Sequence, residues 1–71
     1  MNTYILIHTH RHGITTELFQ SNTNYEGFYA YLLDDDDIKP VLESLGIDFE
    51  PDSEETIYIQ SLDLGDIKEV K

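Results

Sequence analysis

Residues 4–20, YILIHTHRHGITTELFQ, decide the fold. Ile5, Ile7 and Thr9 alternate with Tyr4, Leu6 and His8 in a run rich in β-branched and aromatic types, which predicts a strand over residues 3–10. Residues 14–20 read the same way. Between them, His12 and Gly13 suit a two-residue hairpin loop, because such loops want positive φ and Gly and His are among the types that adopt it. That loop sets Arg11 opposite Ile14, His10 opposite Thr15, His8 opposite Glu17, Ile7 opposite Leu18 and Leu6 opposite Phe19. Side chains alternate across a sheet, so one face of the hairpin carries Ile5, Ile7, Ile14 and Leu18, and the other Tyr4, Leu6, Phe19, His8, His10 and Glu17.

Working outward, TNYE at residues 23–26 has the spacing of a capping box, with Thr23 and Glu26 exchanging backbone partners at a helix start. Tyr25, Phe28, Tyr29 and Leu32 then recur on one helical face, while Tyr31 points elsewhere. Four aspartates follow, Asp34 to Asp37. Carboxylates repel the negative end of a helix and favour the positive end, so the break between two helices belongs inside this run. Ile38, Val41, Leu42 and Leu45 predict a second helix over residues 38–45, with Pro40 in its first turn and Gly46 at a left-handed C-cap. Residues 56–61 alternate again, with Ile57 and Ile59 on one side and Tyr58 on the other. The tail from residue 62 fits either a turn with an edge strand or a helical turn.

The sum is an α+β chain of order ββααβ, a single domain over residues 1–71: an antiparallel sheet made of the hairpin and a third strand, with both helices on one face. Placing Tyr4, Leu6, Phe19 and Tyr58 on the face opposite the helices leaves an apolar and aromatic patch, the kind of surface through which two copies pair or a larger complex is docked.

Charge restricts the partners. The chain carries 15 acids against 4 Lys plus Arg, a formal −11. Residues 1–33 hold Arg11 against Glu17 and Glu26, a net −1, and residues 34–71 the remaining −10. Affinity for DNA or RNA rests on neutralising phosphates with basic residues, so direct nucleic-acid binding is excluded, as is attraction to an anionic membrane. The acids Asp34, Asp35, Asp36, Asp37, Glu43, Asp48, Glu50, Asp52, Glu54 and Glu55 are the candidate partner-binding residues. Held as one ridge, they suit a basic protein groove built for a phosphate backbone. The chain contains no cysteine, which removes disulfides and thiolate metal sites and points to a reducing, cytoplasmic setting.

Chemistry-bearing motifs are few. His8, His10 and Glu17 on one hairpin face form the candidate metal set, with zinc the ion suited to imidazole plus carboxylate. A hand-type calcium loop counted from Asp34 fails, because Lys39 and Leu45 stand where Gly and Glu are needed. The glycines are scattered singly rather than grouped around phosphate, and no nucleophile has an evident orienting acid, so the chain reads as non-enzymatic and without a cofactor. In size, charge and lack of cysteine it resembles the small inhibitors that phages and plasmids direct against restriction or CRISPR nucleases. That likeness is one of composition, and the reading of a DNA mimic acting on a nucleic-acid-binding protein rests on the acidic ridge. A metal-binding domain using His8, His10 and Glu17, and an accessory subunit docking by its open sheet face, are the alternatives.

Overall fold

The computed structural model describes residues 1–50 and 54–71. The elements run β1 (Asn2–His10), β2 (Gly13–Ser21), α1 (Tyr25–Leu32), α2 (Asp35–Ser44), β3 (Thr56–Ser61) and β4 (Ile67–Glu69). The four strands form one antiparallel sheet in the order β2-β1-β3-β4, and the chain is an α+β protein. The undecided tail is therefore a turn and an edge strand. Gly65, at a φ of +77°, makes that turn, its amide bonding the Ser61 carbonyl at 2.8 Å.

The hairpin closes one step earlier than its sequence suggests. His10 pairs with Gly13, leaving Arg11 and His12 as the loop, so His8 faces Thr15 rather than Glu17, and Glu17 faces Leu6. Positive φ falls on Gly13 at +132° and not on His12, so the glycine supplies the unusual conformation from the first strand position. This two-residue shift in register preserves which side chains share a face.

The helices cover the opposite face to the one expected. Tyr4, Leu6, Ile57 and Ile59 are fully buried and form the core with Tyr25, Phe28, Leu32, Ile38, Leu42, Ile47 and Val70, while Phe19 packs partly buried against them. Tyr4 pairs with Phe19 and Ser61, and Leu6 with Ile59, so this face continues across β3 through Ile57 and Ile59. Of the expected interface patch, only Tyr58 lies on the open face, opposite Ile7. Aromatic bulk explains the choice. Tyr4 stacks on Phe28 and Tyr25 at centroid separations of 5.3 and 6.1 Å, and Phe19 lies 5.3 Å from Phe28, contacts that the aliphatic face lacks. Both buried phenols also find acceptors: Tyr4 donates to the Thr23 carbonyl at 2.6 Å and Tyr25 to that of Ile59 at 3.1 Å.

Helix boundaries follow local hydrogen bonding. Asn24, not Thr23, caps α1, its side chain accepting from the Gly27 amide at 2.8 Å, because asparagine is the stronger cap and the Thr23 carbonyl is engaged by Tyr4. The break does fall in the aspartate run. Asp34 caps α2 by accepting from the Asp36 and Asp37 amides at 2.8 and 3.1 Å, so α2 starts at Asp35, ahead of the residues 38–45 expected, and Pro40 lies inside the helix rather than in its first turn. Proline removes one intrahelical donor, and the carbonyl it would have served belongs to exposed Asp36, where water is available. Gly46, at a φ of +72°, ends the helix in a Schellman motif, with Gly46 bonding the Glu43 carbonyl and Ile47 that of Leu42. Residues 47–49 form no strand, but Ile47 is buried and Phe49 leans on the core.

Candidate functional site

Two features that the sequence holds far apart meet at the hairpin end of the sheet. An open cleft of about 720 Å³ is lined by His8, Thr9, His10, Arg11, His12 and Thr15 from the hairpin, and by Gly46, Ile47, Asp48, Glu50, Glu54 and Glu55 from the connection between α2 and β3. Antiparallel pairing of β3 with β1 sets Ile57 beside His8, so the chain entering β3 delivers Glu55 to the same face. His8 is buried, and its Nε2 lies 2.5 Å from Glu55 Oε1. The His8 and Phe49 rings form a T-shaped pair with centroids 5.8 Å apart, and the ring centroids of His8 and His10 stand 4.9 Å apart. His10 Nε2 shares a hydrogen bond of 2.9 Å with the Thr15 hydroxyl, and His10 Nδ1 accepts from the His12 amide at 3.3 Å.

The expected metal set of His8, His10 and Glu17 is not assembled. The register puts Glu17 beside Leu6, farther along the strand, and the carboxylate that meets His8 is Glu55. Among the described residues no group of three His, Asp or Glu side chains is placed to hold a metal ion. Glu55 escapes a reading of the hairpin alone. Extending the alternation of Ile57 and Ile59 back by one more odd position, once β3 is paired with β1, would have pointed to it.

The ten candidate acids divide into structural and solvent-facing groups. Asp34 serves as the cap of α2, and Glu55 holds His8. Asp35 pairs with Lys71, whose ammonium also donates to the Leu33 carbonyl at 3.0 Å, closing the end of α1, which lacks a basic residue in its last turn. The hydrogen bond and charge of Lys71 hold the Asp35 carboxyl below the usual aspartate range. Asp36, Glu43, Asp48, Glu50 and Glu54 are exposed, and Asp37 is partly so. Asp52 lies outside the described residues. The Lys68 ammonium stands over two rings, 4.9 Å from the centroid of Tyr29 and 5.4 Å from that of Tyr25.

The open sheet face has the contrary character. Thr3, Ile5, Ile7 and Thr9 of β1, Ile14, Thr16, Leu18 and Gln20 of β2, Thr56, Tyr58 and Gln60 of β3, and Ile67 and Glu69 of β4 point to it. Glu69 is the one acid that these strands contribute to it among the described residues. The chain is thus two-sided, with acids on α2 and the connection after it and a nearly uncharged sheet behind.

The architecture defines a small two-layer α+β protein with an acid-coated helical side. A scan against family models finds no match for the chain, and searches of curated proteins and of solved structures find none either. No helix among the described residues is long and apolar enough to cross a membrane.

Proposed function

We propose that this protein is a non-enzymatic acidic binding module that occupies a basic protein surface, in the manner of a nucleic-acid mimic acting on a DNA- or RNA-binding protein in the cytoplasm. The observation that carries this reading is the separation of charge across the molecule. Asp36, Asp37, Glu43, Asp48, Glu50 and Glu54 follow one another along α2 and the segment after it, while the sheet face behind them is nearly free of charge. A one-sided field steers association with a positively charged groove and raises encounter rates by roughly ten to a thousandfold. Asp34, Asp35 and Glu55 hold the scaffold that presents the field.

The test is capture of partners from a cell lysate on the immobilised chain, beside a variant carrying Asp36→Asn, Glu43→Gln, Asp48→Asn and Glu54→Gln. Nucleic-acid-binding proteins should be retained at low salt, displaced by duplex DNA and released near 0.5 M salt, since screening then shortens to roughly 4 Å. The neutralised variant should retain little. Capture indifferent to salt, or equal on the two chains, would overturn the reading.

A further inference from the structure

We infer that the open face of the sheet is a self-association surface, on which a second copy of this chain packs sheet against sheet. Ile5, Ile7, Ile14, Leu18, Tyr58 and Ile67 all point to this face, and Ile14 and Leu18 are 67% and 64% exposed. The pairing builds two rows across the sheet: Leu18, Ile5, Gln60 and Ile67 in one, and Thr16, Ile7, Tyr58 and Glu69 in the next. No helix and no tail segment among the described residues covers them, because α1 and α2 both pack on the other side and β4 only extends the sheet's edge.

Charge selects the occupant. A chain of net −11 draws basic partners to its carboxylates, and among the described residues the strands offer them Glu69 alone on this face, at its β4 margin. An uncharged partner surface suits it, and the identical face of another copy is one. Like charge does not forbid the pairing. Sheets pack about 10 Å apart and each helical layer sits roughly another 10 Å beyond its sheet, so the acid-bearing layers of two copies stand roughly 30 Å apart. That is more than three Debye lengths at physiological ionic strength, where about 8 Å suffices for one.

Area sets the strength. Strands of 9, 9, 6 and 3 residues, at about 3.3 Å per residue and about 4.8 Å per strand, give a flat footprint of roughly 430 Å². Two copies therefore bury close to 900 Å² before side-chain relief is added, near the roughly 1,000 Å² that a specific interface needs. A dimer of that size dissociates on dilution through the micromolar range or above. Two-fold symmetry makes the contact isologous and closed, so association stops at two.

Sedimentation equilibrium up to about 1 mM chain tests this. The mass should climb toward twice the 8.2 kDa of the single chain. High salt should leave the association unchanged or strengthen it, in contrast to capture of a basic partner. Leu18→Lys should raise the dissociation constant at least tenfold while the thermal melt is kept, and Ile14→Lys, at an exposed position near the start of the same strand, serves as the second variant. The neutralised variant used for partner capture should dimerise as the unaltered chain does, so failure of one proposal is distinguishable from failure of the other. A monomer throughout the range, or a dimer untouched by both lysine substitutions, would overturn the inference. The first result gives the face to a different protein, and the second moves the contact elsewhere, for instance to the free edge of β2.

Discussion

Replacing Asp34 separates two roles that the aspartate run combines. Its Oδ1 accepts from the Asp36 and Asp37 amides, and its carbonyl accepts the first intrahelical bond, from Ile38 at 3.0 Å. Asp34→Ala strips the side-chain acceptor from both amides, a loss of about 1 kcal/mol and at most about 2. A chain of 71 residues at about 0.05–0.15 kcal/mol per residue holds roughly 3.5–11 kcal/mol in all, so the loss is a sizeable share. The melting temperature should fall by about 4–8 °C per kcal/mol in a domain of this size. Asp34→Asn keeps the oxygen acceptor and removes the charge. It forfeits a few tenths of a kcal/mol of dipole interaction and gains a similar amount from reduced repulsion with Asp37, and so should stay within about 0.5 kcal/mol of the unaltered chain. Thermal and urea melts followed by far-ultraviolet circular dichroism give the ranking, and repeating them in high salt isolates the hydrogen-bonding part. Equal stability of the alanine and asparagine variants would refute the capping account.

Alkaline pH should unfold the protein through its buried phenols. Burial pushes the Tyr4 and Tyr25 hydroxyls above the ordinary tyrosine range. A folded-state value above the unfolded one means that their contribution is complete below about pH 10 and is lost as pH rises through the folded value. The urea midpoint should hold steady up to about pH 10 and fall beyond it, less so in Tyr4→Phe; an equal fall in both chains would exclude Tyr4 as a cause. Glu55→Ala should cost about 1–3 kcal/mol, because it strips the buried His8 ring of its carboxylate partner. Combining it with His8→Leu should cost less than the two single changes together, with coupling of at least about 0.5 kcal/mol; strict additivity in urea melts would mean that the 2.5 Å contact has no energetic weight.

The alternation of residues 4–20 is enough to specify two strands and the grouping of their side chains, since a register shift of two leaves each face intact. It does not tell which face is covered. Both are apolar, and the decision comes from α1, whose Tyr25 and Phe28 form an aromatic cluster with Tyr4 and Phe19. Such contacts join residues on different elements, 9 to 24 positions apart, and leave no periodic trace. Helix ends were legible where one residue type has a single conformational use, as at Gly46, and less so where two caps compete, as Thr23 does with Asn24. The carboxylate partner of His8 is hidden from the sequence for the same nonlocal reason: Glu55 reaches His8 only because β3 pairs with β1.

The place of β3 has a bearing on synthesis. It lies between β1 and β4, so β1 keeps one bare hydrogen-bonding edge until β3, which follows both helices in the chain, has emerged from the ribosome. A lone hairpin is marginal in water, and its unsatisfied backbone invites pairing with the nascent strands of neighbouring chains. Closure from Tyr4 to Ser61 then completes both layers in one late step. Loss of β3 would therefore part the sheet at its centre rather than trim its margin.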